Sequence, residues 1–146
     1  MEVLNRKARH DYFIEEAYEA GIVLTGTEIK SIRNGNCNIK DCYGFVKNGE
    51  VFLLNMFIGQ YKEGNIFNHE ESRSRKLLLH KKEIKKLFEK VSQKGYTIVP
   101  LDVHLSKGRV KIDIALGRGK KNYDKRESLA KKDAQRDIER SLKPRN

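Results

Sequence analysis

Histidine is the side chain most readily recruited to proton transfer near neutral pH, and this chain has four: His10, His69, His80 and His104. They stand far apart in the sequence, so no two share a local motif. Each has the chemistry of a general base, but surface or capping roles account for all four without catalysis. Carboxylates are numerous yet show no spacing of a paired acid and base, and no serine has the surroundings of a nucleophile elbow. The segment GRGK at 117–120 lacks the Gly-x-x-x-x-Gly-Lys-Ser/Thr spacing of a triphosphate loop. Its glycines instead free the backbone where the last strand leaves the fold. Cys37 and Cys42 are the only cysteines, and no other Cys or His makes a zinc-ligand spacing with them. They read as two free thiols in a reducing cytoplasm. No catalysis, metal or cofactor is expected.

What the chain offers instead is charge. Its 31 Lys and Arg against 20 Asp and Glu leave +11 over 146 residues. Such a surplus favours a polyanion, most often nucleic acid, although an anionic membrane face would also attract it. Residues 117–146 hold eleven of the basic and five of the acidic side chains, so more than half of the net charge lies in the last fifth of the chain. No apolar run approaches the roughly 20 residues of a membrane span, and the N-terminal MEVLNRKARHDYF has no uninterrupted apolar segment after a basic start. Neither a membrane location nor a secretory leader is expected.

The length predicts one domain. Residues 9–20, RHDYFIEEAYEA, carry aromatic and partly alternating apolar side chains and predict a long strand. Thr25 and Glu28 have capping-box spacing, and Gly35 can supply a left-handed cap, so a short helix is predicted over 26–34. Asn48-Gly49 predicts a tight hairpin within 37–58. Its second arm is apolar on both parities, as for a strand covered by a barrel interior and an outer helix. Residues 59–75 read as a long polar loop. Ile84, Leu87, Phe88 and Val91 follow helical spacing, with Gly95 as the stop. A second hairpin puts Thr97, Val99, Leu101, Val103 and Leu105 on one face, and Val110, Ile112, Ile114 and Leu116 on one face. Five or six strands with two helices and no βαβ repetition suit a mainly β fold, a small antiparallel barrel of the oligonucleotide-binding (OB) type with flanking helices.

From Tyr123 to Leu142 there is neither Gly nor Pro, and Ala130, Ala134, Ile138 and Leu142 recur every four residues. Two of the four are alanines, so burying the stripe stabilises by only a few kcal/mol at about 25 cal/mol/Å². Ordering twenty residues costs about 1–2 kcal/mol each. The expectation is a body over 1–118 and a basic tail over 119–146 that is disordered free and helical when counterion release on RNA offsets the cost.

Three blocks then take on meaning together. NRKARHDYFIEEAYEAGIVLTGTEIKSIRNG, SRKLLLHKKEI and GRGKKNYDKRES, in this order and at these separations, resemble the SmpB family of SsrA-binding proteins, from about Asn5 to Arg140. The resemblance implies an OB-type barrel that grips the tRNA-like part of transfer-messenger RNA. It implies that the tail enters the decoding centre and empty mRNA channel of a stalled ribosome, against small-subunit rRNA. Elongation factor Tu and alanyl-tRNA synthetase would be indirect partners, and the protein a cytoplasmic monomer that positions RNA.

Carried over residue by residue, the resemblance implies RNA contacts at Asn5, Arg6, Arg9, His10, Glu19, Lys76 and Leu78, with Lys111 as a phosphate contact on the strand that follows. Glu19 would accept from base or 2′-OH donors or orient a neighbouring Arg, and Leu78 would pack on unstacked bases. Lys120, Lys121, Asp124, Lys125 and Arg126 match the block placed near the decoding centre. Arg118 departs from a common lysine, keeping the charge but adding a planar fork. Two other readings compete: a ribosomal protein or assembly factor, since small basic barrels with basic tails suit that work, and a ribonuclease using His10 or His104.

Overall fold

The computed structural model describes residues 2–62, 68–93 and 95–120. In chain order the elements are β1 (Glu2–Leu4), α1 (Arg6–Asp11), β2 (Tyr12–Ile22), α2 (Gly26–Arg33), β3 (Cys37–Asn38), β4 (Tyr43–Lys47), β5 (Glu50–Leu54), β6 (Phe57–Ile58), β7 (Arg75–Leu78), α3 (Lys81–Val91), β8 (Tyr96–Ser106) and β9 (Arg109–Gly119). Strands β8, β4, β5, β7, β2 and β9 pair in that order, all antiparallel, and β9 pairs back on β8. The sheet thus forms a ring, the OB-like arrangement expected. Its β4–β8 seam is thin, with Gly44 opposite Ile98. β1 extends β8, while β3 and β6 form a separate two-stranded ribbon.

The second arm of each hairpin begins where its turn residues demand. Asn48 (φ 53°) and Gly49 (φ 74°) both take positive φ, and Lys47 pairs with Glu50 across them. That is the two-residue turn whose twist matches antiparallel strands. Thr25 and Glu28 cap α2 reciprocally: the Thr25 N–H donates to Glu28 Oε1 at 2.8 Å and the Glu28 N–H to Thr25 Oγ1 at 3.4 Å. Gly35 follows at φ 76°. On β9, Val110, Ile112, Ile114 and Leu116 all enter the main core, as their alternation requires. The core also takes Leu87 of α3, with Ile84 and Val91 packed beside it. Phe88, expected in the same stripe, is 48% exposed instead.

Other expectations are corrected. The strand predicted over 9–20 begins at Tyr12, because Arg9, His10 and Asp11 belong to α1. A six-residue helix with Ala8 as its one buried side chain leaves no periodic signal. It is held by Asn5, whose Oδ1 accepts from the Ala8 N–H at 3.2 Å, and by Ala8 packing on Val99, Leu101 and Ala115. The continuous arm predicted up to residue 58 breaks at Asn55 (φ 63°), after which β6 pairs with β3. The outward side of β5 carries Phe52 stacked on Phe45 of β4, ring centroids 5.5 Å apart, in place of the expected helix. Along β8 the register shifts between Pro100 and Asp102. One extra residue exchanges the faces, so Val99 and Leu101 pack outward under α1 while Ile98 and Val103 both enter the main core.

Beneath this lies an ionic network. Arg75 and Glu28 are both fully buried. The Arg75 Nε–H donates to Glu28 Oε2 at 2.6 Å, Nη1 donates to the carbonyls of Met56 and Arg73, and Nη2 to those of Glu70 and Glu71. All five donors of the guanidinium are used. Arg73 adds 2.6 and 3.1 Å bonds to the same carboxylate. Burial alone would push the Glu28 carboxyl up, but the bonds from Arg73, the Thr25 N–H and Arg75 outweigh it and hold the group below the usual range. Nearby, buried His69 places Nδ1 2.9 Å from the Thr27 hydroxyl and Nε2 2.8 Å from the Ile58 carbonyl.

Candidate nucleic-acid interface

Alternation on the ring sends Ala20, Leu77, Val103 and Ile112 into the core. Their sequence neighbours therefore point outward. Register then aligns those neighbours in rows. Leu78 of β7 sits opposite Gly21 of β2, Gly21 opposite Lys111 of β9, and Lys111 opposite His104 of β8. A second row runs from Glu19 through Asp113 to Asp102. Segments separated by up to 90 positions thus meet on one open face. Leu78 is 52% exposed, and a Cβ at Gly21 would lie 3.2 Å from Leu78 Cβ, so the absent side chain leaves this leucine room to lie flat. Val23, a further exposed apolar residue, continues the line of β2.

Four residues expected to touch RNA are brought together here. Glu19, Lys111 and Leu78 occupy adjacent strands, and Lys76, opposite Phe52 of β5, extends the face while pairing with Glu50. Arg6, Arg9 and His10 lie exposed on α1, whose Ala8 packs on Ala115, outward on the same strand as Asp113 and Lys111. His10 Nδ1 lies 2.9 Å from Asp11 Oδ1. Asn5 is corrected. It is buried, and its amide donates to the carbonyls of Ile39 (3.2 Å) and Pro100 (2.8 Å), which leaves no hydrogen for RNA. Lys120 is tied back to α1. Its backbone N–H donates to the Asp11 carbonyl at 2.8 Å, and its ammonium donates to the Arg9 carbonyl at 3.1 Å, 5.3 Å from the Phe13 ring centroid. Lys121, Asp124, Lys125 and Arg126 lie outside the described residues.

The family model described as SmpB protein matches residues 2–144. The chain belongs to the SmpB family. It is similar to the SsrA-binding protein of Clostridium tetani, 61% identical over 97% of this chain and 91% of that one. The SsrA-binding proteins of Shouchella clausii (61%, covering 97% and 90%) and Halothermothrix orenii (58%, covering 97% and 91%) match likewise. A solved chain from the work "tmRNA-SmpB: a journey to the center of the bacterial ribosome" superposes at TM-score 0.72 with 46% identity, over 92% of this chain and 94% of that one.

In this SmpB family member the face holds a group that spacing did not single out as a site. His104 places Nδ1 2.7 Å from Asp102 Oδ1 and reaches across β9 to place Nε2 3.0 Å from Glu19 Oε2. Burial disfavours a charged ring, but the bonds to Asp102 and Glu19, helped by the Asp113 charge, raise its pKa above the ordinary histidine value. Burial and the adjacent Asp102 charge push the Asp113 carboxyl up. His104, 85 positions from Glu19, gives no local signal; only the register of three strands joins them. With both ring nitrogens engaged by carboxylates, His104 is poorly placed as the base of a ribonuclease. The cysteines are equally quiet: burial pushes Cys37 up to about 11 and Cys42 up to about 12, so both remain thiols at neutral pH. Among the described residues no helix is long and apolar enough to cross a membrane.

Proposed function

We propose that the chain is an RNA-binding adaptor of trans-translation. Its ring binds the tRNA-like domain of transfer-messenger RNA and delivers that RNA to stalled ribosomes, where tagging of the product and release of the ribosome follow. The observation that carries this reading is the outward face of β9, β2 and β7. There Lys111 offers a cation to phosphate, Glu19 offers acceptors to 2′-OH or base donors, and Leu78 offers a flat apolar surface to an unstacked base. Arg6 and Arg9 on α1 add backbone contacts. The protein positions RNA and changes no bond; elongation factor Tu and alanyl-tRNA synthetase act on the RNA it holds, in the cytoplasm, where it works as a monomer. The tail over 119–146 occupies the decoding centre and the vacant mRNA channel, with Lys120, Lys121, Asp124, Lys125 and Arg126 at its entry. Its net +6 over residues 117–146 suits an rRNA-lined track.

A truncation tests the division of labour. Cutting after Lys120 keeps that residue's bonds to Arg9 and Asp11. The shortened protein is expected to bind isolated transfer-messenger RNA as the full chain does and to support no tagging in a reconstituted translation system. Equal loss of binding and tagging would show that ring and tail are not separate in role. Stoichiometric presence in every ribosome, with no selective recovery of transfer-messenger RNA, would favour a ribosomal protein instead.

A further inference from the structure

A neutral imidazole has one N–H and one lone pair, so it can donate to one carboxylate at most. His104 has a carboxylate oxygen at each nitrogen, Asp102 at 2.7 Å and Glu19 at 3.0 Å. Both contacts are satisfied together only when the ring carries two protons. We propose that the imidazolium of His104 is a positioning residue for RNA binding: it holds Glu19 across β9 in its RNA-facing orientation and offsets the acidic side chains around it. This rests on the RNA-binding reading above and assigns a part to a residue that neither the motifs nor the resemblance includes.

The charge around the ring makes the proton matter. Asp102 faces it from its own strand, Asp113 and Lys111 from β9, and Glu19 from β2, while Glu2 of β1 is its Cα partner on the other side. With the ring charged, two cations stand among four carboxylates; with the ring neutral, Lys111 stands alone. An RNA backbone approaching Lys111 and Leu78 meets this cluster at close range, within a Debye length of about 8–10 Å. Deprotonation therefore acts twice: it frees Glu19 to swing, and it adds repulsion against phosphate. Glu19, His104 and Asp113 also have ligand atoms within 4.8 Å of one another. A metal would need a ring lone pair directed at it, however, and here both nitrogens are turned to carboxylates.

The sign follows from the geometry. The charged ring's contribution is complete at low pH and is lost as pH rises through the elevated His104 value. Affinity for RNA falls over the same window. Linkage requires the converse: bound RNA must raise the His104 pKa further.

The test uses the full chain and transcribed transfer-messenger RNA, with Kd measured from pH 5.5 to 8.5 at fixed ionic strength. Affinity of the native protein is expected to fall about three- to tenfold across that range, a modest factor because Glu19 is half exposed and its ion pair is screened. His104→Gln is expected to bind at the weak plateau at every pH, with no slope of its own. That flat profile separates His104 from His10, His69 and His80, which titrate in both proteins. A ring NMR titration of the native chain needs no variant and should show His104 titrating above the ordinary histidine value, and higher still with RNA bound. A ring titrating below that value, or a His104→Gln protein that keeps the native slope or the native low-pH affinity, would overturn the proposal. Failure of the native chain to prefer transfer-messenger RNA over an unrelated RNA of equal length would sink the wider reading instead.

Discussion

Replacing Glu28 with Gln changes one oxygen for one NH2 and leaves the shape almost intact, so its effect isolates charge. In the native fold the carboxylate receives the Arg75 Nε–H at 2.6 Å, two bonds from Arg73 and the Thr25 N–H. Glutamine cannot accept all four, because one of its terminal atoms now donates toward donors. Arg75 is fully buried and would keep its charge without a counter-ion. Removing one partner of a buried pair costs about 3–5 kcal/mol, which in a chain of this size lowers Tm by roughly 10–20 °C. The usual escape, replacing both partners with apolar residues, is closed here, since the Arg75 guanidinium also satisfies the carbonyls of Met56, Glu70, Glu71 and Arg73. Thermal melts followed by circular dichroism measure the loss, and a pH series adds a second signature. The Glu28 carboxyl is held below its usual range, so its contribution is present above the unfolded value of about 4.3 and lost as pH falls through the lower folded value. Native and Glu28→Gln melts should differ most at neutral pH and converge in strong acid. A Tm within about 3 °C of native at pH 7, or a gap that stays constant into acid, would refute this account of the network.

Two further outcomes follow from adjacent residues and from the ring's seam. Leu77 is 1% exposed and Leu78 is 52% exposed. Leu77→Ala should cost about 2–5 kcal/mol in stability, whereas Leu78→Ala should leave the melt nearly unchanged and weaken transfer-messenger RNA binding by about 1–3 kcal/mol if it stacks on a base; the reverse pattern would mean the register of β7 is wrong. At the seam, a Cβ on Gly44 would lie 2.8 Å from Ile98 Cγ2 and 3.0 Å from Ile98 Cβ. Because Ile98 Cβ is fixed by its backbone, Gly44→Ala should open the β4–β8 contact and cost about 1–3 kcal/mol in a urea melt; unchanged stability would show that the seam yields freely.

How much of this was legible depended on the reach of the interaction. Asn48-Gly49, the Thr25/Glu28 capping box, the stripe of α3 and the alternation of β9 are decided within a few residues, and the structure keeps them. α1 is decided by Asn5 bonding to carbonyls 34 and 95 positions away, which no local pattern contains. The shifted register in β8 is likewise invisible, since Val99, Leu101 and Val103 alternate flawlessly as letters and part company only where one extra residue enters opposite β9. The site divides the same way. Glu19, Lys76, Leu78 and Lys111 were each picked out by motif, but their adjacency belongs to the pairing of β9, β2 and β7, and His104 joins them only through that pairing.

The segment RKLLL shows why the buried ionic network bears on the proposed RNA face. Three consecutive leucines at 77–79 carry no information about which one should point outward. Sliding β7 by one residue would bury Lys76 and Leu78 and turn Leu77 to solvent, and hydrophobicity alone would resist that weakly because leucine replaces leucine. Arg75 decides it. Its guanidinium can be buried only where Glu28 and four carbonyls converge, and once it points inward, Lys76 and Leu78 must point outward. Glu28, placed by its own capping bond to Thr25, thereby fixes which leucine stands beside Gly21 and Lys111. A Glu28→Gln protein that still folds should for that reason lose affinity for RNA as well as stability, although Glu28 itself lies where no RNA can reach it.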